Sequence, residues 1–283
     1  MITTVSIAKT KKILAEARKK GKRIGFVPTM GALHKGHLSL IRKAKLENDF
    51  VAVSIFVNPT QFAPGEDYLR YPRRPAKDKS LLRKENVDLL FVPKTDPMYL
   101  VDHSTFVEEF DLSRFLCGKS RPAHFRGICT IVAKLFNIVG ADNAYFGQKD
   151  YQQAEIIKRM VRDLNFSIKI KVLPIVREKD GLAVSSRNAY LNYREREVAS
   201  RLYKTLHYIK DAALKGKRDS KKIIKKAKEM LTFPGLTRID YVKIADAKSL
   251  EDVKKIKGKV LIALAVYVGQ TRLIDNIVID VKS

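Results

Sequence analysis

The stretch Ile24-Gly25-Phe26-Val27-Pro28-Thr29-Met30-Gly31-Ala32-Leu33-His34-Lys35-Gly36-His37 decides the fold. Residues 24–27 read as a short buried strand, ended by Pro28, which has no N–H to donate to a ladder. A turn containing Gly31 and Gly36 follows. Beyond it Leu38, Ile41 and Ala44 recur every three residues, with Arg42, Lys43 and Lys45 on the opposite face, so a helix follows the turn. Strand, turn and amphipathic helix in that order are the opening unit of a parallel α/β sheet.

The pattern repeats outward from there. Residues 50–57 are β-branched and aromatic and nearly continuous in hydrophobicity, as a strand covered on both faces should be. Residues 75–85 read as a helix and 87–92 as the next strand. Helices are predicted over 127–139 and 151–164, with strands at 144–146 and 168–176 flanking the second. This order predicts an α/β fold: a Rossmann-like parallel sheet with helices on both faces, joined by right-handed crossovers. Ligands bind such sheets beyond the carboxyl ends of the strands. After residue 176 the order changes to two long basic helices, 194–215 and 220–231, and then three strands, 239–244, 260–268 and 272–278. The expected division is therefore a nucleotide- and substrate-binding domain over 1–176 and a smaller C-terminal α+β domain over 177–283, closing over the active site, with residues 177–188 as the connection across a cleft.

Length and composition agree. At about 150 residues per domain, 283 residues make roughly two domains. Hydrophobic residues at 45% exclude a largely disordered chain. Two cysteines, Cys117 and Cys129, cannot form a disulfide scaffold and predict a reducing setting. Charge enters the N-terminal stretch at Lys9, before any apolar core of signal-peptide length. The longest apolar runs, 50–57 and 260–268, are about half a membrane span. A soluble cytoplasmic protein with no membrane partner is expected. Lys and Arg number 56 against 30 Asp and Glu, a formal net charge of +26. That excess suits nucleic acid, a phosphorylated small molecule or a solvated lysine-rich surface. Aromatic content of 8%, no tryptophan and no nucleic-acid-binding motif weigh against a specific nucleic-acid partner.

The turns at predicted strand ends carry the chemistry. His34 and His37 flank Gly36 at a helix start, where N–H groups and the helix dipole already favour anions. Their imidazoles can donate to phosphate oxygens. Helix-capping histidines without further function and a zinc site are the alternatives, but for zinc two histidines three apart lack the further ligand that a three-ligand site requires. Asn58 and Gln61, after the next strand, are either turn formers or amides that grip a substrate's oxygens. Gly147-Gln148-Lys149-Asp150 opens a helix after another strand. Lys149 is a point charge for phosphate, and Asp150 is either an N-cap or an acceptor for ribose hydroxyls. Val184-Ser185-Ser186-Arg187 is either a polar turn or a mobile clamp for polyphosphate. Arg121, in Arg121-Pro122-Ala123-His124-Phe125-Arg126-Gly127, adds cations just before a helix.

Taken together, PTMGALHKGH, VNPTQF, YPR, RPAHFRG, FGQKDYQQ and VREKDGLAVSSRNAYL, in that order, resemble the signatures of the pantothenate synthetase family, closely over residues 28–191. The resemblance implies a homodimer whose first domain belongs to the nucleotidyltransferases, with the HxGH signature of class I aminoacyl-tRNA synthetases. It implies ATP and Mg²⁺, with pantoate and β-alanine as the other substrates and a pantoyl-adenylate intermediate. Met30, Gly31, Ala32, Leu33, His34, Lys35, Gly36 and His37 match its ATP site, with His37 as proton donor. Gly147, Gln148, Lys149 and Asp150 match a second ATP segment, Val176 an adenine contact, and Val184, Ser185, Ser186 and Arg187 the phosphate loop. Gln61 and Gln153 match the pantoate ligands, with Asn58 and Arg121 as further substrate contacts. After YPR, Lys77 stands where some relatives carry an acid, leaving Asp78 as the one metal candidate. Another nucleotidyltransferase, moving AMP or CMP onto a phosphorylated small molecule, would share HxGH without the paired glutamines.

Overall fold

The computed structural model describes residues 1–281. Contacts divide them into two compact units: Met1–Phe110, Arg121–Gly147 and Gln153–Pro174 form the first, while Asp111–Ser120, Gln148–Gln152 and the chain from Ile175 onward form the second.

In chain order the strands and helices up to Pro174 are β1 (Ile2–Thr4), α1 (Ile7–Lys19), β2 (Ile24–Thr29), α2 (Lys35–Glu47), β3 (Phe50–Ile55), α3 (Pro75–Lys84), β4 (Leu89–Phe91), α4 (Thr95–Met98), α5 (Cys117–Ser120), α6 (His124–Val139), β5 (Asn143–Gly147), α7 (Tyr151–Asp163) and β6 (Lys169–Leu173). The six strands make one parallel sheet in the order β1-β4-β3-β2-β5-β6. Sheet order reverses between β2 and β5. The switch point therefore lies beyond Thr29 and Gly147, the last residues of those strands. β1 and α1 have no counterpart among the sequence expectations.

One expectation is corrected. Pro28 does not end β2, because the ladder continues with Pro28 opposite Ser54 and Thr29 opposite Ile55. A proline removes one donor. Here Thr29 restores the pairing, its Oγ1 donating to the Ser54 carbonyl at 2.9 Å and its carbonyl accepting from Phe56 N at 3.0 Å.

The α2 side of the sheet shows why the apolar spacing works. Leu40, Ile41 and Ala44 of α2 are buried against Val27, Val51, Val53, Leu82 and Leu90. Each large apolar side chain buried completely contributes about 1.5–3 kcal/mol. Within this layer Asn48 donates to Tyr145 Oη at 2.7 Å and accepts from Asn143 Nδ2 at 2.8 Å. A Cβ at Gly25 would collide with the Asn48 amide, so the strand needs glycine there. Burial pushes the Tyr145 phenol up to about 12, so it remains a neutral donor to Glu47 at 2.8 Å.

The second unit contains α8 (Tyr193–Ala199), α9 (Arg201–Leu214), α10 (Ser220–Leu231) and an antiparallel sheet of β7 (Thr237–Asp246), β8 (Gly258–Val268) and β9 (Thr271–Val281) in that order. The single basic helix expected over 194–215 is two helices meeting at Ser200. Asp219 caps α10, accepting from Lys222 N at 3.1 Å. Leu202, Leu206 and Ile209 of α9 and Ile223, Ala227 and Leu231 of α10 share a core with Val242, Ile262 and Leu264 of the sheet. Lys221, Lys222, Lys225, Lys226 and Lys228 lie exposed on the outer face of α10, which makes that run a solvated face rather than a motif. Among the described residues no helix is long and apolar enough to cross a membrane. Cys117 and Cys129 are free and buried, and burial pushes the Cys129 thiol up to about 12.

Candidate active site

The turn from Met30 to His34 is built by a carboxylate from α3. Asp78 is 2% exposed, and its Oδ2 and Oδ1 accept the backbone N–H groups of Ala32 and Leu33, each at 2.8 Å. Gly31 lies at φ +81° and Ala32 at φ +48°. A Cβ at Gly31 would meet Ile55 Cγ2 at 2.9 Å and Asp78 Oδ2 at 3.2 Å, so both the space and the conformation require glycine.

The turn delivers His34 as the residue preceding α2 and His37 in the first turn of that helix. Their rings stack with centroids 4.0 Å apart and planes inclined by 27°. The backbone N–H of His34 points to His37 Nδ1 at 3.4 Å. That contact makes Nδ1 the acceptor, so a neutral His37 carries its proton on Nε2. Gly36 leaves room for the pair, since a Cβ there would stand 3.0 Å from His34 Cε1. An N–H-rich helix head beside two imidazoles has the donors that phosphate oxygens require.

After β3, residues 58–61 form a second constellation. Gln61 Oε1 accepts from Asn58 Nδ2 at 3.2 Å, and Gln61 Nε2 lies 3.0 Å from Met30 Sδ, a weak acceptor. The Gln61 carbonyl accepts from His124 Nδ1 at 2.7 Å and from Arg121 Nη2 at 3.3 Å. His124 Nε2 in turn receives Arg121 Nη1 at 2.7 Å, which defines its tautomer with the proton on Nδ1. Helix α6 reaches this turn through Gly127, where a Cβ would collide with the Thr60 carbonyl.

Two candidates of this group face the protein rather than open space. Asn58, expected to grip substrate, is 1% exposed. Its Nδ2 donates to Gln61 and to the Gly127 carbonyl at 3.1 Å, and its Oδ1 accepts from Thr60 at 3.0 Å and Tyr99 at 2.7 Å. Asn58 therefore orients Gln61. Arg121 grips Glu66 with two hydrogen bonds of 2.6 Å. Burial raises the Glu66 carboxyl, but the hydrogen bonds and charge of Arg121 override it and leave Glu66 below its ordinary value. Tyr99 and Glu66 escaped the sequence reading because their partners lie 41 and 55 residues away.

Gln153 is half-buried in α7, and its side chain makes no hydrogen bond among the described residues, so its amide remains available. Its neighbour Gln152 is the structural one. Gln152 is 5% exposed, donates to the carbonyls of Leu112 and Phe115 at 2.9 and 2.7 Å, and accepts from Cys117 N at 3.0 Å.

Apart from Gly147, the last residue of β5 in the first unit, the remaining candidates lie in the second unit. Val176 and Val184, eight positions apart, are joined by a hydrogen bond of 3.0 Å from Val184 N to the Val176 carbonyl. Arg177 and Ala183 pair antiparallel beside them. The adenine and phosphate candidates are thus two sides of one short hairpin. Ser185 caps the turn that carries Ser186 and Arg187, its Oγ accepting from Arg187 N at 3.3 Å. Lys149 and Asp150 sit in a one-turn 3₁₀ helix before α7, with Lys149 Nζ 3.9 Å from Asp150 Oδ1.

Nothing in this donor set fits a magnesium ion held by the protein itself. Both oxygens of Asp78 are engaged by the turn, and no group of three or more His, Cys, Asp or Glu suited to a metal occurs among the described residues.

A parallel sheet whose switch point faces a histidine-bearing helix head defines a nucleotidyltransferase-type fold. The family model described as pantoate-beta-alanine ligase matches residues 2–278. The chain belongs to that family. It is 58% identical over 274 residues to the pantothenate synthetase of Thermosipho melanesiensis, covering 97% of this chain and 98% of that one. Identity to the Caldicellulosiruptor bescii pantothenate synthetase is 51% over 282 residues, covering 100% of both. The crystal structure of pantothenate synthetase from Thermus thermophilus superposes with a TM-score of 0.92 at 41% identity, covering 98% of this chain and 99% of that one. The Francisella tularensis pantoate-beta-alanine ligase, complexed with beta-gamma ATP and beta-alanine, gives a TM-score of 0.81 at 38% identity, covering 98% and 97%.

Proposed function

We propose that this chain catalyses the ATP-dependent condensation of (R)-pantoate with β-alanine, giving pantothenate, AMP and pyrophosphate. A carboxylate is a poor electrophile, and joining it to an amine in water is uphill. ATP supplies the activation. A pantoate carboxylate oxygen attacks the α-phosphorus, the bond to pyrophosphate breaks, and pantoyl-adenylate results. The amine of β-alanine then attacks the acyl carbon, and AMP leaves with the bridging oxygen while the amine loses its proton.

Each step sets a task for this chain. Negative charge grows on the α-phosphoryl oxygens and on the departing pyrophosphate. His34 and the Nε2–H of His37 are assigned to that charge as donors. Lys149, Ser185, Ser186 and Arg187 are assigned to it as well, with Gly147, Gln148, Asp150 and Val176 as nucleotide contacts. Gln61 and Gln153 hold the pantoate oxygens so that the attacking atom lies in line with phosphorus. Asn58, Arg121 and His124 hold Gln61. Magnesium enters this reading as the ion that travels on the phosphates of ATP. A homodimeric, cytoplasmic enzyme accords with the resemblance.

The observation that carries the reading is the oriented imidazole pair at the head of α2 in a chain that matches the family model from residue 2 to residue 278. It is tested by mixing enzyme, ATP and pantoate without β-alanine. Pantoyl-adenylate should appear by mass spectrometry, and labelled pyrophosphate should exchange into ATP only when pantoate is present. Exchange independent of pantoate would refute the proposal.

A further inference from the structure

We propose that Asn276, in the C-terminal antiparallel sheet, is a positioning residue for Lys149. This rests on the reading above that Lys149 meets the phosphates of the nucleotide.

Asn276 lies in β9 and is 4% exposed. Its Nδ2 donates to two successive carbonyls, that of Gln148 at 3.0 Å and that of Lys149 at 2.9 Å, while its Oδ1 lies 3.4 Å from Gln148 Nε2. One planar amide thus clamps the backbone of the turn on both sides of the Lys149 Cα, which determines where the lysine side chain starts. The charges that act on the lysine hold it only loosely: its ion pair with Asp150 is 3.9 Å long, and the buried Asp275 carboxylate attracts it without a hydrogen bond among the described residues. Asn276 is itself anchored. Its backbone N–H donates to Asp275 Oδ1 at 2.7 Å, and Asp275 receives Arg177 at 2.6 and 3.0 Å. Arg177 is the residue after Val176, so two adjacent positions of β9 support both the lysine turn and the base of the hairpin that carries Val184 to Arg187. Asparagine suits the task because a single nitrogen offers two donors on a stiff two-torsion side chain. Aspartate at this position has no donor to offer and sets a charge against two carbonyl oxygens.

The test is a double-mutant cycle on the full chain with Asn276→Ala, Lys149→Ala and the pair, read by pantoate-dependent pyrophosphate exchange. Two lost hydrogen bonds should lower kcat/KM for ATP roughly ten- to a hundredfold in Asn276→Ala, with KM for pantoate within about twofold of wild type. In the Lys149→Ala background the same substitution should cost nothing further. A soluble Asn276→Ala with wild-type kcat/KM for ATP overturns the inference, provided Lys149→Ala is impaired. So does a loss that persists undiminished without the lysine, which would mark the amide as general scaffolding. An active Lys149→Ala instead removes the nucleotide role of the lysine, and the inference falls with it. Should Asn276→Ala fail to fold, Asn276→Asp, of the same size but without the donors, is judged by the same comparison.

Discussion

Asp78 accepts the backbone N–H of Ala32 at 2.8 Å and thereby holds a residue with a Cβ at φ +48°. With its other oxygen it accepts from Leu33 at the same distance. The carboxylate therefore shapes the turn that leads into the histidine pair, and it acts on the chemistry only through that turn. Asp78→Asn keeps one acceptor but turns an NH₂ toward the other backbone N–H. A buried donor left without its acceptor costs about 1–3 kcal/mol. Denaturant unfolding should show a loss of that size, and pyrophosphate exchange should fall with it. An Asp78→Asn protein of unchanged stability and activity would show that the turn does not need the carboxylate.

Removing a donor aimed at developing charge has a characteristic size. His37→Ala and Lys149→Ala should each slow adenylate formation by about 10²–10³, or about 2.7–4 kcal/mol, while remaining folded. Both side chains are partly exposed, so neither fills the core, though His37→Ala also removes the acceptor of the His34 N–H. Near-normal turnover by either purified variant contradicts its assigned role.

The amides after β3 and at the start of α7 should separate in their effects. Gln153→Ala removes uncharged hydrogen bonds to pantoate and should raise its KM, by about 0.5–1.5 kcal/mol, with little change in stability. Asn58→Ala should raise the same KM and also destabilise the protein by about 1–3 kcal/mol. It leaves Tyr99, Thr60 and the Gly127 carbonyl without their buried partner. Pantoate kinetics and thermal melts on the two variants test this. Equal stability would place Asn58 outside the buried network.

The Arg121–Glu66 pair predicts a pH dependence with a definite sign. Glu66 titrates below its ordinary value when folded, so the unfolded chain takes up the proton first. The stabilisation is complete above about pH 4.3, the ordinary value for Glu, and is lost as pH falls through the lower folded value. Glu66→Gln should therefore be less stable than wild type near neutrality and lose less on acidification. Urea unfolding from pH 7 to pH 3 measures both slopes, and parallel curves would be inconsistent with the pairing.

Sequence alone determined the parts of this protein that obey local rules. The strand–turn–helix order, the spacing of Leu38, Ile41 and Ala44 and the histidine pair at the helix start all follow from neighbours within a few residues, where periodicity and turn chemistry act. It also marked the cationic turns at the strand ends. Local rules failed at Pro28, where Thr29 restores the pairing with Ser54 of the adjacent strand, and at Ser200, where one basic run became two helices. They were silent on β1, three residues long and paired to β4 at the sheet's edge. Only the tertiary structure decided which polar side chains serve the turns and which remain available to a ligand. Gln152 and Gln153 are identical in chemistry and adjacent in sequence. Yet the first is tied to Leu112, Phe115 and Cys117, and the second to nothing among the described residues. Asn276 meets Gln148 and Lys149 across 128 and 127 positions. The physical reason is that a hydrogen bond depends on where two groups meet in space. Chain folding brings such groups together at separations that periodicity does not register.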